Sequence, residues 1–87
     1  TMRQGSLFPP EVTGNIPRIT LLGNEEVRIE QHQGVVIYQE DCIVFRTAGG
    51  QATITGRALR FLHYSAQEAR IGGGIDGVRL EGQGRNK

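Results

Sequence analysis

The run Gly72-Gly73-Gly74-Ile75-Asp76-Gly77 spells G-x-G-x-x-G, the spacing with which a backbone wraps closely around a pyrophosphate. That chemistry needs a helix immediately afterwards, because the phosphates rest on the helix N-terminus. Here Val78-Arg79-Leu80-Glu81 follows, an alternating strand pattern. The glycines are therefore read as a hairpin turn or bulge, and no cofactor is assigned. His32, His63, Cys42 and Asp41 are the side chains that might ligate a metal, but they lack paired spacings such as H-x-x-x-H or C-x-x-C. His32 is expected at a solvent-facing turn and His63 at the end of a strand. Cys42 as a nucleophile needs a base beside it; as the first residue of a strand it reads as a small buried thiol. Neither Ser6 nor Ser65 sits in a nucleophile-elbow setting. Glu26 and Glu30 share one strand face and read as solvated. No catalytic, cofactor-binding or metal-binding residue emerges, and a non-enzyme is expected.

Arginine offers more. Nine of the ten basic residues are arginine. Arg28, Arg46, Arg60, Arg70 and Arg79 are each expected on the polar face of a different strand. Such a ladder suits phosphate, whether from nucleic acid or anionic lipid. Glu26, Glu30, Glu68 and Glu81 lie among the same strands, so cross-strand ion pairing is the competing reading. With Tyr38 and Tyr64 as the only tyrosines, a base-stacking platform is poorly provided for, which disfavours nucleic acid.

These residues must be positioned by strands, because the apolar period is two. Val27 and Ile29 alternate with Glu26, Arg28 and Glu30, and Ile43 and Phe45 alternate with Val44 and Arg46. Ala52 and Ile54, Leu59 and Phe61, and Val78 and Leu80 continue the rule. Turn signals separate the runs: Gly23-Asn24, Gln33-Gly34, Glu40-Asp41, Ala48-Gly49-Gly50, Gly56, Ser65 to Gln67, and Gly72 to Gly74. Gly23 and Asn24 are expected to make a tight turn with positive φ, and Gly34, Gly56 and Gly77 to do similar work. Loops this short predict an all-β meander of seven or eight short antiparallel strands.

The chain has 87 residues, net charge +1 and a hydrophobic content of 37%. Residues 1–16, with Pro9 and Pro10, read as a flexible leader; residues 17–82 as one small β domain; residues 83–87 as a polar tail. No stretch of about 18 apolar residues occurs, so no transmembrane segment is expected. About 65 folded residues bury a marginal core. The sheet must close as a barrel, fold over as a sandwich, or be completed by self-association. Val35-Val36-Ile37-Tyr38 and Ile43-Val44-Phe45 are apolar on both faces, which predicts a central position or one beneath a partner.

Ile16-Pro17-Arg18-Ile19-Thr20-Leu21-Leu22-Gly23-Asn24-Glu25-Glu26-Val27 resembles the opening of the YabP/YqfC sporulation-protein family, closer to its YqfC branch. Gly34-Val35-Val36-x-Tyr38, Ile43-x-Phe45-x-Thr47, Ile54-x-Gly56-x-x-Leu59 and Gly74-Ile75-x-Gly77-Val78 extend the likeness over residues 16–81. Ala48-Gly49-Gly50-Gln51-Ala52 and His63-Tyr64-Ser65 depart from it. The resemblance implies a non-enzymatic role in endospore formation, in the mother-cell cytoplasm and peripheral to the forespore membrane. It also implies a membrane-associated YqfD-like sporulation protein as partner. No catalytic residue comes with it.

Overall fold

A computed structural model describes residues 16–82. The expected leader over residues 1–16, save Ile16, and the polar tail over residues 83–87 lie outside the described residues. Six strands form: β1 (Arg18–Leu22), β2 (Glu26–Glu30), β3 (Val35–Gln39), β4 (Cys42–Thr47), β5 (Gly50–Tyr64) and β6 (Glu68–Gly82). They make one antiparallel sheet in the order β1-β2-β6-β5-β4-β3. No helix occurs among the described residues. Period-two patterning therefore read the fold class correctly.

The strand count is six rather than seven or eight, because two expected turns lie inside strands. β5 and β6 each run for 15 residues. Gly56 sits within β5, at a register shift following Thr55. A second shift lies between Arg57 and Arg60, where Ala58 takes φ 52°. Gly72 to Gly74 lie within β6 opposite this irregularity. A Cβ on Gly56 would overlap the carbonyl oxygen of Gly74, and one on Gly73 would lie 2.6 Å from that of Ala58. Glycine here permits two backbones to approach closely while the ribbon bends; it does not reverse the chain.

That bend builds the core. β4 pairs with β5 only from Gly50 to Thr55, while β2 pairs with β6 only from Glu68 to Gly72. The two halves of the β5–β6 ribbon thus carry different neighbours and fold toward each other. Val27 and Ile29 of β2 join Ile43 and Phe45 of β4 in one buried cluster. β5 adds Ala52, Ile54 and Leu59, and β6 adds Ala69, Ile71 and Ile75. Because β2 and β4 are not neighbours in the sheet, only its curling brings these residues together. The result is sandwich-like and open, with β1 and β3 as edges.

Two further expectations are corrected. Short loops do not all join neighbours: residues 31–34 carry the chain from β2 to the opposite edge. The curled sheet makes that path short, and Gln33 N–H bonds Arg46 O at 2.7 Å while Arg46 N–H bonds Gly34 O at 2.8 Å. Nor is β3 central. Ile43, Val44 and Phe45 of β4 are all buried, whereas Val36, Ile37 and Tyr38 of β3 are exposed at an edge.

Candidate interaction surface

The outer face of β1, β2 and the first half of β6 carries alternating charge. The strand register sets Arg18, Glu30 and Glu68 in one row and Thr20, Arg28 and Arg70 in the next. Arg28 and Arg70 therefore face each other directly, a repulsive pairing. Each is turned toward carboxylates instead. Arg28 Nη1 lies 3.9 Å from Glu30 and its Nε 3.4 Å from Glu68 Oε2, while Arg70 Nε lies 2.6 Å from Glu26 Oε2. Arg18 reaches Glu30 at 3.9 Å. Arg28 Nε is buried and makes no hydrogen bond, since Glu68 stands out of line. The Arg70 hydrogen bond and charge hold the Glu26 carboxyl below its ordinary 4.5, and the same bond raises the Arg70 guanidinium.

The five arginines do not form one ladder. Arg70 and Arg79 share β6, and Arg79 pairs with Glu81 at 3.4 Å. Arg46 and Arg60 lie on β4 and β5, in different halves of the folded sheet. Three of the five are thus committed to carboxylates, as the ion-pairing alternative describes.

Arg60 instead walls a shallow groove of about 510 Å³, with Leu62, Asn24 and Glu25, floored by Gly72 to Gly74. Asn24 and Glu25 hold that floor through their carbonyls, which accept from Ile75 N–H at 2.9 Å and Gly73 N–H at 3.2 Å. Gly23 has φ 61° and Gly34 φ 114°, so both stand in the left-handed half of backbone space; Asn24 does not. Gln31, at φ 67°, and Ala58 do, and neither residue type signals it. Gly77 lies within β6 opposite Thr55, not in a turn.

His32 is not solvent-facing: it is 4% exposed. Its Nδ1 accepts from Gly34 N–H at 3.0 Å, which leaves Nε2 to donate to Ser65 O at 3.0 Å. Its ring lies 5.1 Å from Phe45 and 5.2 Å from Tyr64. With both nitrogens engaged, His32 is a structural link between segments. Cys42 is a free, half-buried thiol rather than a fully buried one. Among the described residues no three of His, Cys, Asp and Glu gather as a metal site.

Besides Leu62 and Tyr64 on β5 and Leu80 on β6, the surface offers apolar area at its edges. Leu21 and Leu22 of β1 and Val36, Ile37 and Tyr38 of β3 are 41–54% exposed. Edge strands also carry unpaired backbone donors and acceptors, so both are suited to joining another chain. No helix among the described residues is long and apolar enough to cross a membrane.

Comparison with known proteins gives one consistent result. The sequence profile of the YabP family matches residues 14–87. A protein of Bacillus subtilis (strain 168), described as uncharacterized protein YqfC, is 32% identical over 72 residues, covering 83% of this chain and 77% of that protein. No solved structure matches.

Proposed function

The chain belongs to the YabP family, and from that premise we propose that it serves sporulation as a non-enzymatic interaction module. It acts as a scaffold or adaptor in the mother cell, at the forespore envelope. Its partners are further copies of itself and a membrane-associated, YqfD-like sporulation protein. The observation that carries this reading is the exposure of Leu21, Leu22, Val36, Ile37 and Tyr38 on the two edge strands of an open sheet. A strand edge with apolar side chains binds protein through backbone hydrogen bonds and side-chain burial together.

Complementation tests it. In a spore-forming host lacking the native gene, the wild-type chain and Cys42→Ser restore spore yield. A folded Leu21→Lys/Leu22→Lys variant does not. Loss of complementation by Cys42→Ser would overturn the non-enzymatic reading. Full complementation by the charged-edge variant would overturn the interaction of β1 with a partner.

A further inference from the structure

We propose that β3 is the strand through which two copies of this chain pair, antiparallel and across a two-fold axis near Ile37; this rests on the self-association in the reading above. The argument is one of charge and symmetry. Each of the other five strands contains at least one charged residue, whereas Val35-Val36-Ile37-Tyr38-Gln39 contains none. A neutral apolar edge is matched by a neutral apolar strand, because a charged one would be desolvated without a counter-charge. Among the described residues, the only uncharged strand a second copy offers is β3 itself.

Symmetry agrees. A two-fold axis at Ile37 sets Ile37 against its own equivalent and Val36 against Tyr38, both favourable cross-strand pairings. Val35 meets Gln39. Val36, Ile37 and Tyr38 are 43%, 41% and 53% exposed, so each has area to bury. The bulge between Val35 and Ile37 bends the strand, yet Ile37, Tyr38 and Gln39 stay in register with Val44, Ile43 and Cys42. Tyr38 is held by stacking on Phe61 at 4.8 Å. Pairing like edges also closes the assembly at two copies, whereas joining β1 of one copy to β3 of the next would continue into an open filament. The β1 edge fits less well, because the same operation sets Arg18 against Leu22.

The test uses the full chain in two measurements. In sedimentation, the wild-type chain is a dimer at micromolar concentration, and Ile37→Lys raises the concentration of half-dissociation at least about tenfold. Circular dichroism confirms that the variant is folded. In a Cys42→Ser background, Ile37→Cys forms a disulfide-linked dimer on mild oxidation, since two cysteines opposed on the axis come within bonding reach. Leu21→Cys does not. A dimer unchanged by Ile37→Lys, or one cross-linked only through Leu21→Cys, would overturn the β3 assignment while leaving self-association standing. A wild-type chain monomeric throughout would overturn both.

Discussion

Arg70 donates from Nε to Oε2 of Glu26 at 2.6 Å, joining β6 to β2 across 44 residues of sequence. The bond is diagonal, since Glu26 stands opposite Gly72 and Arg70 opposite Arg28. A carboxylate one row away thus relieves the apposition of two guanidinium groups. Because the Glu26 pKa is depressed by this bond, its contribution to stability is present above the ordinary value of 4.5. It is lost as pH falls through the lower folded-state value. Glu26→Gln should lower Tm at pH 7, with the gap to wild type shrinking as the pH is taken below 4.5. Thermal melts at several pH values read this directly. Both side chains meet solvent, so high salt should also narrow the gap. A gap that widens on acidification would contradict the assignment.

Gly56 and Gly23 should respond differently to the same added methyl group. At Gly56 a Cβ overlaps the Gly74 carbonyl oxygen, a backbone atom that can yield only by opening the β5–β6 pairing. At Gly23 nothing lies within 4 Å, so the strain is that of φ 61° alone. Gly23→Ala should cost about 1 kcal/mol. Gly56→Ala should cost several times as much, or prevent folding. Urea midpoints for the two variants decide it, and equal midpoints would refute the close approach.

This contrast marks where the sequence was legible. Alternation in Val27–Ile29, Ile43–Phe45 and Ala52–Ile54 carries strand identity in every pair, and it survives in the buried core. Glycine is ambiguous by nature, because a turn and a close approach both require a missing side chain. Gly56 and Gly72 to Gly74 belong to the second case. The arginine pattern showed which face each side chain takes but not its neighbours. Arg28 meets Arg70 and Glu68 only because β2 pairs with β6, a contact between segments some 40 residues apart. The edge position of β3 was likewise hidden, since Val35 to Tyr38 is as apolar as a central strand. Its want of any charge was visible, and so was the isolation of Gln39 as its one polar residue.

Phe45 should be the most sensitive position in the core. It is fully buried, 5.1 Å from His32 and 6.1 Å from Phe61 by ring centroids. Phe45→Ala removes that packing and leaves a cavity, a loss of about 3–5 kcal/mol. A domain of about 65 residues has roughly 3–10 kcal/mol in total. The variant should therefore lose about a third or more of its stability, read as a large fall in its urea midpoint. Leu80→Ala, at a residue 59% exposed, should fall within about 0.5 kcal/mol of wild type. Comparable losses at the two positions would place the core elsewhere.

His32 ties the connection before β3 to the turn before β6, accepting from Gly34 N–H and donating to Ser65 O, each at 3.0 Å. His32→Ala strands both backbone groups in a site that is 4% exposed at the histidine. Leaving them unpaired and vacating the ring space should cost about 2–5 kcal/mol. His32→Gln retains one donor and one acceptor and should recover part of that loss, which separates the hydrogen bonds from the packing on Phe45 and Tyr64. Amide exchange gives the sharper readout. Gly34 N–H should exchange slowly in the wild-type chain and quickly in His32→Ala, even where the rest of the sheet stays protected. Since Gly34 directly precedes β3, its release also loosens the entry to that edge strand. Fast exchange at Gly34 in the wild-type chain would show that the histidine does not hold it.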